Sequence, residues 1–151
     1  MTAFAQQWQS AFIATVQQPG YAQPLKQAAC REALSAWTSH LTTAVVAACN
    51  EIGWQASAKN CPIPAIPVKT NEFLSLDVTA FEPSARQWPL PIAIMELENQ
   101  GGRVPYSLWK VLCVKAQLRV VFGYSRTTEE RASIVKTLQS TVLPDSRFAH
   151  F

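Results

Sequence analysis

Two carboxylates, Glu96 and Glu98, stand at a spacing of two in the otherwise apolar run Pro91-Ile-Ala-Ile-Met-Glu-Leu-Glu-Asn-Gln100. In an extended strand that spacing puts both on one face, with Met95 and Leu97 on the other. Like charges side by side on an apolar strand are costly unless a positive charge lies between them. A divalent metal ion is the simplest such charge. Asp77 lies on the preceding apolar segment, where a hairpin would set it beside Glu96. Magnesium prefers oxygen ligands and keeps several waters, so two or three carboxylates suffice to hold it. It would polarise a phosphoryl oxygen and lower the pKa of an attacking water. Glu51 ends a helical stretch on the face shared with Ala44 and Ala48. It is open to two readings, a fourth member of this cluster or a solvated helix end.

The elements that must position these residues follow from periodicity and capping. Thr2 caps a first helix in which Phe4, Trp8, Phe12 and Val16 repeat every four residues, and Gly20 ends it. Pro24 suits the first turn of a second, longer helix with the stripe Leu34, Trp37, Leu41, Val45 and Ala48, open to a break near Ser39-His40. Gly53 is its stop. Trp54 to Lys59 reads as a short strand, and the proline-rich segment 61–67 as a loop or sheet-edge crossing. Glu72 to Phe81 and Pro91 to Glu98 read as strands of an antiparallel hairpin. Gly101-Gly102 breaks the pattern before a helix over Pro105 to Lys115 and a strand over Leu118 to Tyr124. Thr127 and Glu130 form a capping box for a last helix running to Val142. The order α-α-β-β-β-α-β-α predicts a mixed central sheet flanked by helices, an α/β fold. A single domain is expected, with an N-terminal helix in 1–22, a core in 23–142 and a tail in 143–151.

Composition narrows the classes. With 48% apolar and 15% charged residues the chain is globular, not disordered. No apolar run is long enough for a membrane span, and no basic region precedes an apolar core as in a signal peptide. Cys30, Cys49, Cys61 and Cys113 form no C-x-x-C pair, and His40 and His150 lie at no zinc-like spacing from them. Buried thiols and a cytoplasmic location are expected. The net charge of +3 permits a polyanionic partner without demanding one. Its bases gather late in the chain, at Arg103, Lys110, Lys115, Arg119, Arg126, Arg131 and Lys136. Arg131 and Lys136 read first as a solvated face. Trp37 and Trp109 read as core, and Trp88, in a proline-rich turn, as exposed. Neither histidine has a catalytic partner.

Glu51, Leu76-Asp77 and Glu96-Leu97-Glu98, followed by Trp109-Lys110 on a helix and by a strand over 118–124, resemble the PD-(D/E)xK nuclease superfamily in order and spacing. The resemblance covers residues 25–142. It implies the restriction-endonuclease-like fold and hydrolysis of DNA phosphodiester bonds with Mg²⁺ or Mn²⁺. Asp77 and Glu96 would then bind metal, with the Leu97 carbonyl as a further ligand and Glu98 orienting or activating the water. Glu98 stands where the family carries lysine. Some members keep activity with Glu-x-Glu, and in others the lysine has moved to a neighbouring element. Lys110 is the candidate here, ahead of Lys115 and Arg103. Specificity would come from a homodimer, from nucleic-acid shape or from a partner protein. A non-catalytic binding or assembly module on the same fold is the alternative. A hydrolase acting on a small phosphorylated substrate is a third.

Overall fold

A computed structural model describes residues 2–66, 72–84, 86 and 88–144. The order is α1 (Ala3–Gln17), α2 (Pro19–Cys30), α3 (Leu34–Glu51), β1 (Gln55–Ala58), β2 (Val78–Phe81), β3 (Ala93–Glu98), α4 (Val104–Leu112), β4 (Leu118–Gly123) and α5 (Thr128–Thr137). A π-helical turn, Leu138–Val142, extends α5. The four strands form one mixed sheet in the order β1-β2-β3-β4. The first three pair antiparallel, and β4 returns parallel to β3 through α4. The chain is therefore α/β, as the element order predicted.

The strand β3 separates two layers, as its alternation requires. Ala93, Met95 and Leu97 join Trp8, Leu41, Val45 and Cys49 of α1 and α3 in the main core. Ile94, on the other face, packs on Leu76 and Val111 beneath α4. Glu96 and Glu98 share that second face. Ile92 through Leu97 are all buried, so β3 is an inner strand from its start.

Several boundaries differ from expectation for physical reasons. Gly20 does not end α1. The first break falls at Gln18, in extended backbone, and Pro19 opens α2 from its first position. Pro24 sits inside α2, not in its first turn. The break before α3 lies at Arg31–Ala33 rather than at Ser39-His40, and Glu32 adopts a positive φ of 51°. No glycine or proline marks it. Tertiary contacts fix it: Tyr124 donates to the Ala29 carbonyl (3.3 Å), Arg126 pairs with Glu32 (3.3 Å), and Trp37 meets the Tyr124 ring edge-on. Gly53 does stop α3. Its φ of 81° closes a Schellman motif, with Gly53 N–H bonding Asn50 O and Trp54 N–H bonding Cys49 O.

The second strand is shorter than its pattern. Its partner β1 ends at Ala58, which pairs with Val78, so residues before Val78 have no ladder to join on that side. Phe73–Ser75 instead form a 3-10 turn, with Leu74 and Ser75 at φ 56° and 57°. At the far end Thr127 caps α5 by accepting from Glu130 N–H. The Glu130 carboxylate reaches past Thr127 to accept from Arg126 N–H at 2.7 Å, so the reciprocal bond is displaced by one residue. Arg131 and Lys136 are exposed, as expected. Trp88 is exposed as expected, but Trp109 is not core: half of it faces solvent. Cys30 and Cys113 are exposed as well, and only Cys49 is fully buried, its thiol pushed up to about 11 by desolvation. His150 and the tail beyond Pro144 lie outside the described residues.

Candidate active site

The β2–β3 ladder stops at the pair Val78–Met95, and the next rung would be Asp77 and Glu96. There the side chains take over from the backbone. Asp77 N–H donates to Glu96 Oε1 at 3.3 Å, and Leu97 N–H donates to Asp77 Oδ2 at 2.7 Å. Each carboxylate thus caps the opposite strand where the two diverge. In a strand the N–H and C=O of one residue point to the same side. The Leu97 carbonyl therefore faces the Asp77 side as well.

The helix α4 supplies the counter-charge. Its buried face is Val104, Ser107 and Val111, which packs the helix on the sheet and sets Lys110 at the rim of that contact. Lys110 Nζ lies 2.7 Å from Glu96 Oε2 and donates to the Ser75 carbonyl at 3.0 Å. That carbonyl is available because Leu74 and Ser75 leave the extended region, at a cost of about 1 kcal/mol for each non-glycine residue in left-handed backbone. Glu96 is 5% exposed. Its carboxyl is held above the ordinary range, first by burial, with the Lys110 ammonium opposing the rise and the Asp77 charge adding to it. Three charges thus meet at the end of the hairpin: two carboxylates that repel and one ammonium that bonds the deeper of them.

Glu98 belongs to a neighbouring network. Its Oε1 accepts from Gln100 N–H at 2.9 Å, and its Oε2 accepts from Ser107 Oγ at 3.2 Å, with Arg103 Nε at 3.8 Å. These contacts brace the Gly101–Arg103 turn and the start of α4. The second glutamate of the Glu-x-Glu pair thus braces the helix that delivers Lys110. A Cβ at Gly101 would lie 2.8 Å from Glu130 Oε1 and 2.9 Å from Ile134 Cδ1, so those two side-chain ends would have to shift.

Glu51 is not brought to this site. Asn99, just past the end of β3, donates to Thr38 Oγ1 at 2.9 Å, near the start of α3. Glu51 is exposed at the opposite end of that helix, roughly 20 Å further along its axis at 1.5 Å per residue. The same bond uses Asn99 to tie β3 to α3. Among the described residues no three acidic, histidine or cysteine side chains form a group able to hold a metal ion. The oxygens that could still approach a hard cation here are those of Asp77 and Glu96, with the Leu97 carbonyl on the same side. They fit magnesium, which binds through one or two carboxylates and completes its octahedron with water. The repulsion between Asp77 and Glu96 is what such an ion would relieve.

Two contributors were missed in the sequence. Ser107 could have been found: it is the one polar residue on the apolar face of α4, at helical spacing between Val104 and Val111. The Ser75 carbonyl could not, because the alternation of residues 73–81 argued for a strand. No family model, no curated protein and no solved structure matches this chain.

Proposed function

We propose that this chain is a metal-dependent nuclease that hydrolyses DNA phosphodiester bonds, built on a restriction-endonuclease-like fold. The observation that carries the reading is Lys110 on Glu96. The lysine absent from position 98 of the Glu-x-Glu pair is matched by an ammonium from α4, 2.7 Å from the buried carboxylate. The topology supports it too: a three-stranded antiparallel unit, a crossover helix and a parallel fourth strand, with the carboxylates where the hairpin opens.

In this reading Asp77, Glu96 and the Leu97 carbonyl hold Mg²⁺ or Mn²⁺. When bound there, the ion would supply Lewis acidity toward a phosphoryl oxygen and lower the pKa of a water. Lys110 places a fixed positive charge beside the phosphate, where negative charge grows in the transition state. Glu98, through Ser107 and the turn before α4, keeps that charge in position. The test is cleavage of plasmid and branched DNA with Mg²⁺ or Mn²⁺. Asp77→Ala and Glu96→Ala are expected to abolish it. Lys110→Ala is expected to slow it by about 10²–10³-fold, the usual effect of losing one aligned electrostatic donor. Equal rates for all four proteins would overturn the proposal.

One observation favours a second reading, a non-catalytic binding or assembly module. Lys110 already neutralises Glu96, so the buried carboxylate has a partner without any metal. A chain that binds DNA unchanged in Glu96→Ala and never cleaves it would establish that reading.

A further inference from the structure

The outer face of α4 carries two large rings with no place in the core. Tyr106 is 53% exposed and Trp109 is 50% exposed. Their centroids are 6.0 Å apart and their planes are inclined by 32°, so neither ring buries the other. Rings of this size are usually buried away from water, and their exposure as a pair marks a surface that meets something.

The surrounding charge selects the partner. The helix α4 itself carries no aspartate or glutamate, while Arg103 precedes it and Lys110 lies in its last turn, each also reaching a glutamate of β3. Arg103, at the start of α4, is 61% exposed in its side chain. It lies one helical turn from Tyr106, which in turn lies one turn from Lys110, so ring and cations share one flank of the helix. Protein interfaces centre on aromatic residues too, but their cores are depleted of charge. A flank that interleaves rings with like-signed cations suits a polyanion that also has flat faces to offer. Nucleic acid is that polyanion. The bases of a duplex are stacked on one another, so rings on a convex helix reach only unpaired ones.

We propose that Tyr106 and Trp109 form a stacking platform for unpaired bases, with Arg103 on the adjoining phosphate. The preferred ligand is then a single strand, or an unpaired segment next to a duplex, entering the site past α4. The substrate class rests on the nuclease reading, but the platform can be tested apart from it. Both rings are exposed, so replacing them leaves the core intact.

Binding is measured by fluorescence anisotropy without divalent metal, so that no cleavage intervenes. The probes are a short fluorescein-labelled oligo-dT and a labelled duplex of matched length. The wild-type chain is expected to bind oligo-dT more tightly than duplex. The double variant Tyr106→Ala, Trp109→Ala is expected to lose about ten- to a hundredfold on oligo-dT and little on duplex. Tyr106→Phe with Trp109→Phe is expected to retain most of the affinity, because the ring faces survive. Equal losses on both probes, or none on either, would overturn the platform, as would aromatic-to-alanine variants whose only change is loss of a dimer in sedimentation. Ring-dependent binding without metal-dependent cleavage would leave the platform standing and reject the nuclease. Cleavage unaffected by the alanine pair would do the reverse.

Discussion

Lys110 and Glu96 form the most consequential contact in the molecule, and its energetics are those of a buried pair with one wet partner. The Glu96 side chain is 7% exposed and that of Lys110 is 26% exposed. Burial raises the carboxyl's pKa and Lys110 holds the rise back. Removing the ammonium therefore has a definite sign. In Lys110→Met the Glu96 carboxyl is expected to ionise at still higher pH than in the wild type, read from the ¹³C shift of its carboxyl carbon. The same variant is expected to lose about 1–3 kcal/mol at neutral pH, the usual cost of leaving a buried charged group without its partner. An unchanged titration would mean that the ion pair does not persist in solution. Glu98 stands in contrast. Both of its oxygens are bound within its own chain segment and α4, so its charge is spent on local order.

At the scale of elements, the site depends on three junctions where regular structure stops. The β2–β3 ladder ends at Val78–Met95, α3 ends in the Gly53 turn, and the Gly101–Arg103 turn launches α4. The first and third create the site directly, and the second sets α3 against β1. Gly53→Ala is expected to cost about 1 kcal/mol, because alanine is strained at φ 81°. Chemical denaturation would show it as a lower midpoint at constant slope. This is also where the sequence was most and least readable. The apolar periods placed α1, β3, α4 and β4 to within a few residues, and the spacing of Glu96 and Glu98 placed both on the α4 face. Gly53 and Thr127 marked their boundaries by backbone preference and side-chain capping. The Arg31–Ala33 break carried no local signal, since Tyr124, Arg126 and Trp37 impose it from afar. Of the two readings open for Glu51, the structure gives the exposed helix end, because the direction in which α3 crosses the sheet is set by long-range contacts such as Asn99–Thr38. Trp109 was taken as core because a helix with an apolar stripe leaves its width undetermined, and the second apolar flank of α4 faces outward.

Across the whole molecule, one face of the sheet is devoted to stability and the other to the site. The three N-terminal helices cover the first with the main core, and among the described residues α4 covers the second where the carboxylates lie. No helix among the described residues is long and apolar enough to cross a membrane. The arrangement links folding to pH. Glu96 has a raised pKa in the folded chain, so above its ordinary value of 4.5 the folded state holds more protons than the unfolded one. Stability from this group is full below that pH and is lost as the pH rises through the folded value. Melting curves are expected to show this decline in the wild type and a shallower one in Glu96→Gln, which cannot titrate. Identical pH profiles would show that Glu96 is not perturbed by folding.

We propose that Asp77, Glu96 and the Leu97 carbonyl form a cation site with Lys110 as its standing competitor. Calorimetric titration with Mn²⁺ tests it without needing the right substrate. The wild-type chain is expected to bind one ion at millimolar concentrations or below, Asp77→Asn and Glu96→Gln to lose that binding, and Lys110→Met to bind more tightly as the competing ammonium is removed. Absence of binding in the wild type, or binding that survives in both carboxylate variants, would contradict the account.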